Sequence, residues 1–128
     1  MIYTTYFSKL NKLPPDIIPI SICGKAPNGY KGLQYKKLAP KYSFFAEWKK
    51  TKDNDMYIRE FKIQVLDKLC PTYTRYELFN LAGQLNPFCK DIALVCYEKP
   101  SDFCHRHLVA EWFKDNGIEC EEFIYENP

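Results

Sequence analysis

Residues 92–97 read Ile92-Ala93-Leu94-Val95-Cys96-Tyr97, and after Glu98-Lys99-Pro100 the chain continues Ser101-Asp102-Phe103-Cys104-His105-Arg106-His107-Leu108. The first run is short, apolar and uninterrupted, the pattern of a buried strand. The second predicts a helix capped by Ser101 or Asp102, running to Asn116 and stopped by Gly117. Ile118–Tyr125 then reads as a closing strand. Strand, helix and strand in this order make a βαβ unit, whose strands lie parallel.

Upstream, Ile2–Phe7 alternates loosely and is rich in β-branched and aromatic residues, so it predicts an opening strand. Pro14-Pro15-Asp16 is a turn, and Ile17–Cys23 is a second apolar strand in which Pro19 argues against full regularity. Tyr42–Lys50 predicts a short helix. Asp53-Asn54-Asp55 offers the cap of a better one, with Ile58, Phe61, Val65, Leu66 and Leu69 at helical spacing and Pro71 closing it. Thr72–Ala82 is a third, ending at Gly83. The expected fold is a small single α/β domain over residues 1–128, Rossmann-like, with a mainly parallel sheet and flanking helices. Ligands in such sheets sit beyond the carboxyl ends of the strands, here the loops after Cys23 and Cys96.

Composition agrees. The 128 residues are 46% hydrophobic and 27% charged, and 21 aromatic side chains can fill a core. No apolar run is long enough to span a membrane, and Met1–Tyr6 lacks the charged and apolar regions of an export signal. A cytoplasmic protein with six reduced cysteines is therefore expected. Net charge is only +2, but Lys25–Lys52 carries eight lysines against the single acid Glu47, while five acids and no base follow from Asp115. The lysines suit a phosphate-bearing partner, and the acids from Glu119 to Glu126 suit a solvated sheet edge.

The segment around Cys96 and Cys104 carries chemistry. It puts Cys96 at a strand end and Cys104-His105-Arg106 in the first turn of a helix, where unpaired N–H groups favour a thiolate or an anion. If Leu108, Val109, Trp112 and Phe113 form the apolar face, His105 looks inward and His107 outward to water, with Cys104 and Arg106 flanking.

The order Cys96-x-Glu98, a short loop, then Cys104-His105-Arg106 resembles the domain of unknown function 488 family. Ile2–Ser8 looks like that family's opening strand and Ile17–Pro27 like its second strand and loop, while Gly29–Gly32 through Leu38–Pro40 looks like a subgroup of bacteria and their phages. Two departures stand out. Many members carry Asp-x-Arg after the second strand, where this chain has Ile22-Cys23-Gly24-Lys25. Many have a histidine in the last strand, where it has Glu121-Glu122-Phe123.

Three readings of the cluster stay open. In the first, the site is catalytic, acting on a nucleotide-like or nucleic-acid substrate: Cys104 or Cys96 is the nucleophile or redox thiol, His105 the base, Arg106 an oxyanion or phosphate clamp, and Glu98 an orienter or acid. In the second, Cys96, Cys104 and His105 hold a metal with Cys23 or Glu98 as fourth ligand, although the spacing is not a common zinc pattern. In the third, the cluster is structural or only binds, with Arg106 paired to Glu98 and Lys25, Lys31 and Arg106 holding a phosphate-bearing ligand or nucleic acid. The basic loop Gly24–Gly32 is neither a Walker loop nor a dinucleotide fingerprint. Lysines interleaved with Tyr30, Tyr35, Tyr42, Phe44, Phe45 and Trp48 could also stack on a single strand of nucleic acid. The residues specify no cofactor.

Overall fold

Five strands, β1 (Ile2–Tyr6), β2 (Ile17–Ser21), β3 (Leu33–Gln34), β4 (Asp91–Cys96) and β5 (Cys120–Glu122), form one sheet in the order β3-β2-β4-β1-β5. Every pairing in it is parallel. The computed structural model describes residues 1–126, and the elements are those found among them. Four α-helices, α1 (Tyr42–Thr51), α2 (Asn54–Gln64), α3 (Pro71–Gly83) and α4 (His105–Asp115), flank the sheet. No helix among the described residues is long and apolar enough to cross a membrane.

β4 is the centre of the fold. Ile92 through Cys96 are all buried, and because alternate residues point to opposite faces, both faces of the strand are covered. This is the expected α/β, Rossmann-like architecture. Pro19 fits inside β2 because β3 pairs only from Ile20 onward, so the missing N–H falls before that ladder begins. Asp53 caps α2 by accepting from the Met56 N–H at 3.0 Å.

The structure corrects several boundaries. α2 stops at Gln64 rather than reaching Leu69, and a separate 3₁₀ turn covers Leu66–Lys68. Its buried stripe is Tyr57 and Phe61; Ile58 is 43% exposed, one position off the inward face. α4 begins at His105, with Cys104 as N-cap and no side-chain cap bond, so neither Ser101 nor Asp102 caps it. Its buried face is His105, Arg106, Val109, Ala110 and Phe113, rotated toward Arg106 from the face expected on Leu108 and Trp112. His107 is half-buried rather than turned to water, and among the described residues its Nε2 is a buried ring nitrogen with no partner. β5 ends at Glu122, yet the chain beyond still follows β1: the Phe123 N–H donates to the Thr4 carbonyl, and Tyr125 and Thr5 share a hydrogen bond of 2.6 Å.

Candidate functional site

The topology makes a crevice at one place. The connection leaving β2 turns toward β3, while the one leaving β4 turns the other way to β5, so the carboxyl ends of the adjacent strands β2 and β4 form a topological switch point. A cavity of about 830 Å³ opens there, within the size range of small-molecule sites. Cys23, Gly24 and Lys25 line it after β2; Cys96, Tyr97 and Glu98 line it after β4; Phe103, Cys104 and His105 line it at the start of α4.

The two sulfurs at its floor are joined. Cys96 and Cys104 form a disulfide, where reduced thiols were expected. The fold explains the proximity: Cys96 is the last residue of β4 and Cys104 the N-cap of α4, and the loop between them folds back. Among the described residues Cys23, Cys70, Cys89 and Cys120 are free. Burial pushes the thiols of Cys23 and Cys120 up to about 12, so neither ionises in the ordinary range.

His105 is 6% exposed, and its ring is oriented by one hydrogen bond. Nε2 lies 2.8 Å from the Ile22 carbonyl oxygen. A carbonyl only accepts, so Nε2 carries the proton and Nδ1 is left with its lone pair. That nitrogen faces Cys104 Sγ at 4.0 Å. Burial, aided by the Arg106 charge and opposed by the bond to Ile22, pushes the imidazole down to about 4, so it is neutral near pH 7.

Arg106 is fully buried and is held differently from the expected pairing with the Glu98 side chain. Its Nε and Nη2 donate to the two carboxylate oxygens of Glu122, each at 3.0 Å. Nη1 donates to the Glu98 carbonyl oxygen at 2.5 Å and to Cys96 Sγ at 3.3 Å. Glu98 thus holds Arg106 through its backbone, while its side chain is exposed beside the cavity. Glu122 also accepts from the Thr4 hydroxyl at 2.6 Å, so this acid is a buried-charge partner rather than part of a solvated edge.

Of the seven residues singled out in the sequence, Cys96, Glu98, Cys104, His105 and Lys25 meet at the cavity. Arg106 lies behind it against Cys96, and Lys31 is exposed and outside the lining. The Sγ atoms of Cys96 and Cys104 and the ring nitrogen of His105 lie within 4.8 Å of one another. Neither Cys23 nor Glu98 joins that group as a fourth ligand.

The opposite wall was expected only as a separate surface for stacking nucleic acid, not as a neighbour of the cysteine cluster. α1 contributes Tyr42, Phe45, Trp48, Lys49 and Lys50. Trp48 is fixed by its Nε1 donating to Asn54 at 2.8 Å and packs 5.6 Å from Phe103, ring centre to ring centre. The interleaving of lysine and aromatic residues was the signal in the sequence; only the folding of α1 over the strand ends shows which of them face the cluster. In comparison with known families, the model of DUF488-N3a, described as the active DUF488-N3 subclade, matches residues 8–117. No curated protein and no solved structure matches the chain.

Proposed function

The chain belongs to the DUF488-N3a family, and from that premise we propose that it is a cysteine-dependent enzyme acting on a nucleotide-like substrate, with Cys104 as nucleophile in the reduced state. The observation that carries this reading is the set around one sulfur. Cys104 caps α4, His105 presents an unprotonated Nδ1 to it, and both open onto the cavity. The positive end of the helix stabilises a thiolate, and His105 takes the thiol proton as the sulfur attacks. Lys25, Lys49 and Lys50 supply charge for phosphate, and Phe45, Trp48 and Phe103 supply faces for a planar ring. Glu98 is exposed at the cavity, where its side chain can orient a donor group of the substrate. Arg106, with its donors engaged, acts as a positioning residue for Cys96 rather than as a phosphate clamp.

The test is turnover by the reduced protein of a panel of nucleoside mono-, di- and triphosphates and a short single-stranded oligonucleotide, followed by mass spectrometry of the products. One substrate class is expected to be consumed. Cys104→Ser should keep binding and lose turnover, and a double Lys25→Glu, Lys50→Glu variant should weaken binding. Turnover at the wild-type rate by Cys104→Ser would overturn the nucleophile. Binding without turnover by the wild type would leave a non-catalytic phosphate-ligand module. The three clustered donor atoms favour a second reading, a soft metal ion on the reduced cysteines and Nδ1. A mass excess of one zinc on the native reduced protein would put that reading first.

A further inference from the structure

We propose that Cys96 and Cys104 are a reversible redox site: a small disulfide oxidises the pair and masks the sulfur facing the cavity, and a small thiol reopens it. This rests on the reading of Cys104 as the nucleophile and adds a role for Cys96, which that reading leaves idle.

The pair is built as two unlike thiols. Both sulfurs border the cavity, but Cys104, at a helix N-terminus beside an unprotonated imidazole nitrogen, is 7% exposed and is the one an incoming reagent meets first. Cys96 is 1% exposed, and it receives the Arg106 Nη1 donor at 3.3 Å. A guanidinium at that distance stabilises a thiolate that never has to reach solvent. Glu122 balances the charge of Arg106 with two hydrogen bonds, and the Glu98 carbonyl fixes the same nitrogen that touches the sulfur. The more exposed thiol as attacker and a fully buried, charge-supported partner suit dithiol exchange. Cys23 lies in the same small cluster but lacks a contact with Arg106 of this kind, and its Sγ instead donates weakly to the Val95 carbonyl at 3.8 Å.

The exchange balances without another reagent. The Cys104 thiolate attacks one sulfur of a disulfide RSSR and releases RS⁻, leaving a mixed disulfide. The Cys96 thiolate then attacks Cys104 Sγ and releases the second RS⁻. The two thiol protons end on two RSH, the protein pair has lost two electrons, and the small disulfide has gained them. Two equivalents of a small thiol reverse both steps.

The experiment uses the wild-type chain, reduced, and then exposed to oxidised glutathione, an open-chain disulfide. Peptide mapping after iodoacetamide reads each cysteine. The expected result is a mass loss of two hydrogens, a Cys96–Cys104 linked peptide, and loss of Cys104 labelling that reduced dithiothreitol restores. In Cys96→Ser, the same oxidation should stop at the first step and leave a glutathione adduct on Cys104, with no linked peptide. Both sulfurs remaining alkylatable in the oxidised wild type would overturn the proposal, as would a link from Cys104 to Cys23. The enzymatic reading fails separately: a pair that closes and reopens in a protein without any turnover leaves the redox site standing and removes the catalysis.

Discussion

His105 is the residue on which the site turns, because one hydrogen bond fixes its tautomer. With Nε2–H committed to the Ile22 carbonyl, only Nδ1 can serve Cys104. The same burial makes a prediction about pH. The folded His105 titrates at about 4 against a free value of 6.5, so between these values the unfolded chain binds the extra proton. Its contribution to stability is therefore complete above pH 6.5, declines as pH falls, and is fully lost below pH 4. The total is on the order of 3 kcal/mol. His107, also lowered by burial, adds in the same direction. Urea midpoints measured from pH 7.5 to 4 should fall in the wild type and fall less steeply in His105→Asn. An unchanged slope in the variant would mean that His105 titrates normally. The inward turn of His105 was readable from helical phase. The half-burial of His107 was not, because the phase was set on Leu108 and Trp112, which lie at the margin of the true face.

At the scale of elements, Arg106 ties three of them together. It extends from the first turn of α4 to Glu122 on β5 and to Cys96 and Glu98 at the end of β4. Removing the carboxylate charge while keeping the shape strands a guanidinium that has no solvent exposure. Glu122→Gln should therefore cost about 2–3 kcal/mol, toward the lower side for a buried pair because Glu122 itself is partly exposed. Chemical denaturation reads this directly, and a loss under about 0.5 kcal/mol would place the pair among ordinary surface bridges. The sequence could not supply this pairing. Glu122 lies 16 residues from Arg106, while Glu98 is nearer in the chain and was the natural partner until the parallel pairing of β5 with β1 brought Glu122 under α4. Strands β1, β2, β4 and β5 and the helices α1 and α3 were readable from apolar runs and Gly or Pro breaks, whereas the two-residue β3 is too short to leave a run of its own. The end of α2 and the start of α4 were not, because Val65 and Cys104 carry no punctuation of their own.

For the molecule as a whole, the proposed function rests on where the topology opens. The sheet order puts the loops after β2 and β4 side by side, and both were expected to bear the site from the strand-end rule alone. The sequence could not show that α1 folds across the same opening and turns a basic, aromatic segment into its wall, since that depends on packing between distant parts of the chain. Nor could it show the disulfide, because the spacing of Cys96 and Cys104 says nothing about how the intervening loop returns. On the proposed reading, this opening activates one sulfur among six. That activation is tested most directly by reducing the protein fully, treating it briefly with iodoacetamide at pH 6, and resolving the label by peptide mass spectrometry. Exposed Cys70 serves as the internal standard, and the buried thiols of Cys23 and Cys120 as protected controls. Cys104 is expected to be labelled about tenfold faster than Cys70 while Cys23 and Cys120 stay unlabelled. Labelling of Cys104 no faster than Cys70, or its protection alongside Cys23 and Cys120, would contradict it.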